Sequence, residues 1–219
     1  MARAANPAGP WPVQLRYQSG LTGEQYVSAE AWCTARLERC PYHPHGGCSF
    51  ARHGTYPRRI PVGTRIARWY CPESHTTFSL LPDCLAARLS GTLAELEAVV
   101  AAVEQAPSLI SAADQLRPDE IELPGALRWL HRRVRLVRNA LHHVLGLLPD
   151  QFARCRPEVA AFRQRLDTKT ALLELREVTA PWLSTLPAPL GFRPHGIGVG
   201  NQKSAFQQPP GPGPPPLAL

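Results

Sequence analysis

Two short segments of this chain of 219 residues contain cysteine and histidine side chains of the kind that bind metal ions. The first runs from Cys40 to Cys48 and includes His43, and the second runs from Cys71 to His75. Zinc binds four sulfur or nitrogen ligands in a tetrahedron, and two tight turns joined by a β-hairpin can supply them. Prolines in both segments and glycines in the first favour such turns. The sequence therefore predicts a Zn²⁺ site.

The spacing of these side chains separates the candidate ligands. Cys40, Cys71 and His75 have the best placement and are the three predicted ligands. The fourth is either His43, which has the spacing of a metal-binding knuckle, or Cys48, which offers a thiolate. The sequence leaves these two alternatives open. The other cysteines lie outside both turns, and we expect them to pack as apolar side chains. They are Cys33, Cys84 and Cys155.

These motifs resemble the zinc-ribbon segments that precede the catalytic domain of insertion-sequence transposases. The resemblance covers residues 36–85 and includes the Cys-Pro pair at Cys40 and the runs RWYCP and TFS. That family uses paired Cys-x2-Cys knuckles, whereas here His43 and Ser74 occupy the positions of the second cysteines. The resemblance implies a zinc-ribbon-like β module that binds DNA, with the catalytic domain of the family absent.

Arginine dominates the charge of the chain, which has 24 Lys and Arg against 17 Asp and Glu and a formal net charge of +7. Arginine binds phosphate and guanine edges, so this composition favours nucleic acid as a partner, with DNA preferred. Interleaved aromatic residues either stack on bases or form the small core of the hairpin. The predicted nucleic-acid-binding residues of this segment are Arg52, His53, Arg58, Arg59, Arg65 and Arg68.

Helical periodicity dominates the second half of the chain. Thr92 and Glu95 have capping-box spacing, which predicts a helix that ends near Gln105. Apolar residues recur at steps of three and four over residues 127–148, and this stripe predicts a second, longer helix. A third helix is predicted over residues 157–177, because proline is favoured in the first turn of a helix and Pro157 stands at the start of this range. A bundle of these helices should follow the β module.

The longest predicted helix has a polar face of one sign. Arg128, Arg132 and Arg135 recur at steps of four and three, and residues 125–149 contain no acid. With the preceding segment 118–123, this helix is either the DNA-reading helix of a helix-turn-helix or a plain bundle helix with a solvated arginine face. In a protein-interaction module, its leucine and valine stripe would instead pair with another helix.

The sequence as a whole predicts an α+β fold in four regions. These are an N-terminal extension at 1–35, a zinc-ribbon-like module at 36–85, a helical domain at 88–185, and a disordered Pro/Gly-rich tail at 186–219. A short helix is predicted from 29 to 39, across the boundary between the first two regions. No phosphate loop, nucleophile elbow or metalloprotease helix occurs in the sequence, so we expect a binding protein rather than an enzyme.

The expected location and partners follow from the same composition. No apolar run approaches the length that spans a bilayer, which predicts a cytoplasmic protein without a membrane partner. In the reducing cytosol, clustered cysteines favour metal binding over disulfides. Besides nucleic acid, the expected partners are a second copy of the chain or a transposition-related protein.

Overall fold

The computed structural model of the chain describes residues 13–116 and 123–192. Within these ranges a four-stranded mixed sheet is followed by helices, which confirms the predicted α+β fold. The strands are β1 (Val13–Tyr17), β2 (Ala51–Pro57), β3 (Arg65–Cys71) and β4 (Thr76–Pro82). The helices are α1 (Gly23–Ser28), α2 (Leu93–Gln105), α3 (Leu109–Leu116), α4 (Leu123–Leu147), α5 (Pro149–Phe152), α6 (Val159–Leu166) and α7 (Ala171–Val178), and a 3₁₀ turn spans Ala180–Trp182.

The sheet has the strand order β1-β4-β3-β2, in which β2, β3 and β4 are antiparallel neighbours. β1 pairs in parallel with β4, and Leu15 lies opposite Leu80. The sequence analysis predicts neither a strand nor a helix before residue 29, so β1 and α1 are elements that only the structure reveals. Five alternating residues are too few to identify a strand whose partner lies far along the chain. β4 is central, and Phe78 and Leu81 are fully buried.

The predicted helices are confirmed in part. The Thr92 hydroxyl accepts the Glu95 N–H at 3.0 Å, and the Glu95 carboxylate accepts the Thr92 N–H at 2.8 Å, so α2 has the predicted capping box. The helix predicted over 157–177 is two helices, because Asp167 has a left-handed φ of 50° that ends α6. Residues 29–39, predicted as a short helix, form turns and irregular chain.

The apolar stripe of α4 packs inside the chain. Val137, Leu141 and Val144 are fully buried in the main core with side chains of α2, α6 and α7. Leu130 packs in a second cluster with Ala112 of α3, a helix that the sequence analysis missed. These contacts occupy the stripe that a protein-interaction module would have used to pair with another helix. Within the described ranges, no helix combines the length and the apolar character needed to cross a membrane.

Glu97 of α2 fixes the start of α7. Its side chain is 1% exposed, and its carboxylate accepts the backbone N–H groups of Ala171 and Leu172 at 3.0 and 2.8 Å. The same carboxylate accepts the Nε–H of Arg163 in α6 at 2.6 Å. A carboxylate at a helix N-terminus satisfies N–H groups that have no partner within the helix. Glu97 therefore joins three helices.

Arg176 of α7 is fully buried and binds backbone rather than carboxylates. Its guanidinium donates to the carbonyl oxygens of Asp83 and Leu85, at 2.7 and 2.6 Å, and of Pro189 and Leu190, at 2.5 and 3.0 Å. Burial lowers the pKa of Arg176, and the four carbonyls compensate by solvating the charged form. This side chain links the chain after β4 to residues near the end of the helical region.

Residues 186–192 pack against the core, although the sequence analysis assigns them to a disordered tail. Leu186 and Leu190 are fully buried, and Phe192 is 8% exposed. The composition of this segment is rich in proline, but its carbonyls satisfy Arg176, a contact that composition does not reveal. The rest of the predicted tail, residues 193–219, lies outside the described residues.

We expect Arg176→Met to lower the free energy of unfolding by about 3 kcal/mol, because it leaves buried carbonyl oxygens without a donor. Denaturant-induced unfolding followed by circular dichroism measures this change. Arg156→Gln removes an exposed arginine and should change stability by less than about 0.5 kcal/mol. Equal effects of the two substitutions would contradict the anchoring role of Arg176.

Candidate metal centre

Four potential metal ligands converge beside the β3–β4 hairpin. They are Cys40, His43, Cys48 and Cys71, and their ligand atoms all lie within 4.8 Å of one another. Cys40 and His43 form an isolated antiparallel bridge, and the His43 N–H donates to the Cys40 carbonyl at 3.2 Å. Cys71 is the last residue of β3. The group thus consists of three ligands from one loop and one ligand from the sheet.

The loop between His43 and Cys48 turns back through two glycines. Gly46 has a φ of 88° and Gly47 a φ of 86°, in the left-handed region that favours glycine. The Gly46 N–H donates to the His43 carbonyl at 3.0 Å, which closes the turn. This conformation returns Cys48 to the side chain of His43 over a short stretch of chain.

The imidazole of His43 lies between two sulfur atoms. Its Nδ1 atom is 3.5 Å from Cys40 Sγ and 3.4 Å from Cys71 Sγ. Cys40 and Cys71 are buried, whereas His43 and Cys48 are half-buried. The site therefore has a protein-facing side and a solvent-facing side. The sequence left open whether His43 or Cys48 is the fourth ligand, and the structure brings both into the group.

The environment separates the acidities of two thiols. Burial opposes ionisation of Cys71, but the polar groups of Ser74 and the neighbouring thiols of Cys40 and Cys48 outweigh it and lower its pKa to about 6. Burial, followed by hydrogen bonding with Cys71 and Cys40, raises the pKa of Cys48 to about 11. One thiolate is thus stabilised by its neighbours. A metal ion must displace the remaining thiol protons, so its affinity falls as pH falls.

Aromatic side chains form the support under the four ligands. Phe50 stacks on Trp69 with ring centroids 5.4 Å apart, and Phe50 and Tyr42 contact the ring of Phe78 at 5.9 and 5.3 Å. Cys40 and Cys71 belong to the same cluster. Of the two predicted roles for the interleaved aromatics, Phe50 and Trp69 have the packing role.

His75 lies outside the four-ligand group, although the sequence analysis ranks it among the three best ligands. Its Nδ1 atom is 3.2 Å from the hydroxyl of Tyr70. Successive side chains of a strand point to opposite faces, so Tyr70 and the adjacent Cys71 face opposite ways. Because the imidazole of His75 contacts the Tyr70 hydroxyl, His75 lies on the face of the hairpin away from Cys71. The position of His75 depends on the register of β3 with β4, which the sequence does not show.

Two of the predicted nucleic-acid-binding arginines make contacts inside the protein. Arg52 donates to two carbonyls of the turn after α1 at 2.6 and 2.8 Å. Arg58 donates to the carbonyls of Ala86 and Leu89, and burial lowers its pKa. Their guanidinium groups hold the β2 region against neighbouring backbone. These contacts reduce what both side chains can offer to a phosphate.

Arg65 and Arg68 of the hairpin contact side chains rather than backbone. The Nε–H of Arg65 donates to the Thr55 hydroxyl at 2.9 Å, and the guanidinium of Arg68 lies 5.9 Å from the ring centroid of Tyr56. Arg65 is exposed. The remaining predicted nucleic-acid-binding residues of the hairpin, His53 and Arg59, are exposed as well.

The arginines of α4 form a continuous basic face. Arg128, Arg132 and Arg135 are all exposed, as the sequence predicts for a polar helix face. α4 contains no aspartate or glutamate. The segment 117–122, which holds most of the turn of the predicted helix-turn-helix, lies outside the described residues.

Comparison with known proteins does not identify a relative. No protein-family model, curated protein or solved structure matches the chain. The resemblance to transposase zinc ribbons therefore stays a prediction. The geometry shows a Cys₃His group that can hold one metal ion.

We expect the purified protein to contain one metal ion per chain and Cys48→Ser or Cys71→Ser to lose it, because three ligands remain. Inductively coupled plasma mass spectrometry after gel filtration measures the metal content. His75→Asn is the matched control, since asparagine tolerates the left-handed φ of 48° at this position. Loss of the metal from His75→Asn with retention in Cys48→Ser would show that the ligand set is wrong.

Proposed function

We propose that this chain is a zinc-dependent nucleic-acid-binding protein that holds Zn²⁺ in its Cys₃His group and contacts DNA phosphates through the arginine face of α4. The observation that carries the proposal is the convergence of three thiols and one imidazole within 4.8 Å of one another. In keeping with the transposase resemblance, the proposal assigns DNA binding without catalysis. A second copy of the chain or a transposition-related protein is proposed as a further partner.

The geometry of the group supports zinc as the metal. Zinc binds sulfur at about 2.3 Å and imidazole nitrogen at about 2.0 Å, so adjacent S and N ligands of a tetrahedron lie about 3.5 Å apart. The two distances from His43 Nδ1, 3.5 Å to Cys40 and 3.4 Å to Cys71, are close to this value. Three thiolates and one imidazole are also a common ligand set for structural zinc.

The position of the ligands supports a structural role for this zinc. Four protein ligands fill a tetrahedron, which leaves no position for a substrate. The ion would join the loop over residues 40–48 to the end of β3 at Cys71. The loop itself contains few buried apolar side chains, so a metal link contributes most of its order.

The exposed face of α4 supports contact with a polyanion. It begins at Arg128 and continues through Arg132, Arg135 and Arg138 to His142, all of which are exposed. At 1.5 Å per residue this face is about 21 Å long. No aspartate or glutamate of α4 neutralises it. A row of arginines with one sign binds phosphates by displacing counterions, which makes the affinity depend on salt.

We expect the wild-type protein to bind a short DNA duplex with an affinity that falls steeply as the salt concentration rises. Replacing Arg135 and Arg138 together by glutamine should reduce the slope of log affinity against log salt by roughly two, since each lost phosphate contact removes about one unit. Fluorescence anisotropy over a series of salt concentrations measures both quantities.

Arg154→Gln with Arg156→Gln is the matched control for charge, because both side chains are exposed and lie outside α4. This pair should leave the slope unchanged. The proposal fails if wild-type protein shows no salt-dependent affinity for DNA, or if both pairs of substitutions change the slope equally.

We expect removal of zinc with a chelator to speed trypsin cleavage at Arg39 about tenfold or more, because the 40–48 loop loses its link to β3. Gel electrophoresis of timed digests measures the rate, and added Zn²⁺ should restore protection. Cys48→Ser protein should be cleaved rapidly with or without zinc. Equal cleavage of wild-type protein with and without chelator would rule out the structural role.

A further inference from the structure

A basic cleft of about 400 Å³ lies between the turn that precedes α2 and the first half of α4. Leu89 and Ser90 of the turn contribute to one wall, and Trp129 of α4 contributes to the opposite wall. The remaining lining residues are all arginines, namely Arg88, Arg128, Arg132 and Arg133. The sequence alone does not reveal this cleft, because Arg88 is distant from the other three arginines along the chain.

One of the four arginines is oriented by a neighbouring ring. The guanidinium of Arg133 lies 3.9 Å from the ring centroid of Trp129, a cation–π contact that leaves the edge of the guanidinium available to donate. Arg88 lies in the turn that precedes α2 and has a φ of 57°, which is uncommon outside glycine. The Arg133 side chain is therefore oriented before any ligand binds.

Arg88 also has a polar atom without a partner. Its Nε atom is buried and makes no hydrogen bond in the part of the chain that the structure describes. A buried donor without an acceptor costs free energy. Because this Nε atom is closed off from solvent, a ligand oxygen could satisfy it only after the Arg88 side chain shifts towards the cleft.

The described residues that line the cleft include four arginines and no aspartate or glutamate, so the lining itself does not neutralise the positive charge. Burial and the nearby charge of Arg132 lower the pKa of Arg133. Glu95 raises it, but the carboxylate of Glu95 already accepts the Thr92 N–H at the start of α2. An anion in the cleft would therefore meet several guanidinium groups, and none of the described residues that line the cleft offers them a carboxylate.

We propose that this cleft is a binding site for one phosphate group, which accepts hydrogen bonds from Arg88, Arg128 and Arg132. A tetrahedral phosphate presents oxygen atoms in several directions and can accept from several guanidinium forks at once, whereas a planar carboxylate matches a single fork. The Ser90 hydroxyl at the rim is a further donor.

The phosphate has two sources with the same chemistry. Within the proposed function it is a backbone phosphate of DNA, and this part of the inference rests on that proposal, since Arg128 and Arg132 belong to both the cleft and the exposed face of α4. A free phosphate or a small phosphorylated molecule would use the same donors. Binding of inorganic phosphate tests the cleft without reference to DNA.

Isothermal titration calorimetry with inorganic phosphate at low ionic strength is the first measurement. We expect Arg88→Gln and Arg132→Gln each to weaken binding about tenfold, because each removes a charged fork. Arg132 is exposed, so Arg132→Gln should fold normally even if Arg88→Gln does not, and circular dichroism verifies both. Arg154→Gln, an exposed arginine outside the cleft, should bind phosphate like the wild type.

The second measurement repeats the series with the DNA duplex. Weaker DNA binding by Arg88→Gln and Arg132→Gln than by Arg154→Gln supports a backbone phosphate in the cleft. Weaker phosphate binding with unchanged DNA affinity supports a site for free phosphate. The cleft proposal is overturned if the wild type does not bind phosphate, or if all three variants bind it equally. Neither result alters the salt test with Arg135 and Arg138, so the two proposals fail separately.

Discussion

The buried guanidinium of Arg176 is the interaction on which the arrangement of sheet and helices depends. It binds carbonyls that follow β4, at Asp83 and Leu85, and carbonyls near the end of the described chain, at Pro189 and Leu190. A buried charge is tolerated only when its hydrogen bonds are satisfied, so these backbone segments must stay together. The chain after β4, α7 and residues 186–192 are therefore fixed relative to one another.

The sequence predicted best the elements that depend on nearby residues. The capping box at Thr92 and the apolar stripe of α4 are both local patterns, and both appear in the structure. The pairing of β1 with β4 and the burial of residues 186–192 depend on partners that are distant along the chain. Short-range patterns contain no information about such partners, which is why the sequence analysis missed them.

The candidate metal site shows the same limit at the level of single side chains. Cysteine and histidine clustering was enough to find Cys40, His43, Cys48 and Cys71 as candidates, but it also favoured His75. Strand alternation places His75 with Tyr70 on the opposite face, and this requires the register of β3 with β4. Likewise, composition counted all arginines alike, whereas the structure separates those that bind backbone from those that face solvent.

The placement of three ligands in one loop has a consequence for the order of assembly. Cys40, His43 and Cys48 are neighbours along the chain, so closing a ring around an ion costs little chain entropy even before the sheet exists. Cys71 lies much further along the chain, at the end of β3. An ion already held by the loop would therefore have one position left for a distant ligand, and binding of Cys71 at that position would draw the end of β3 to the loop.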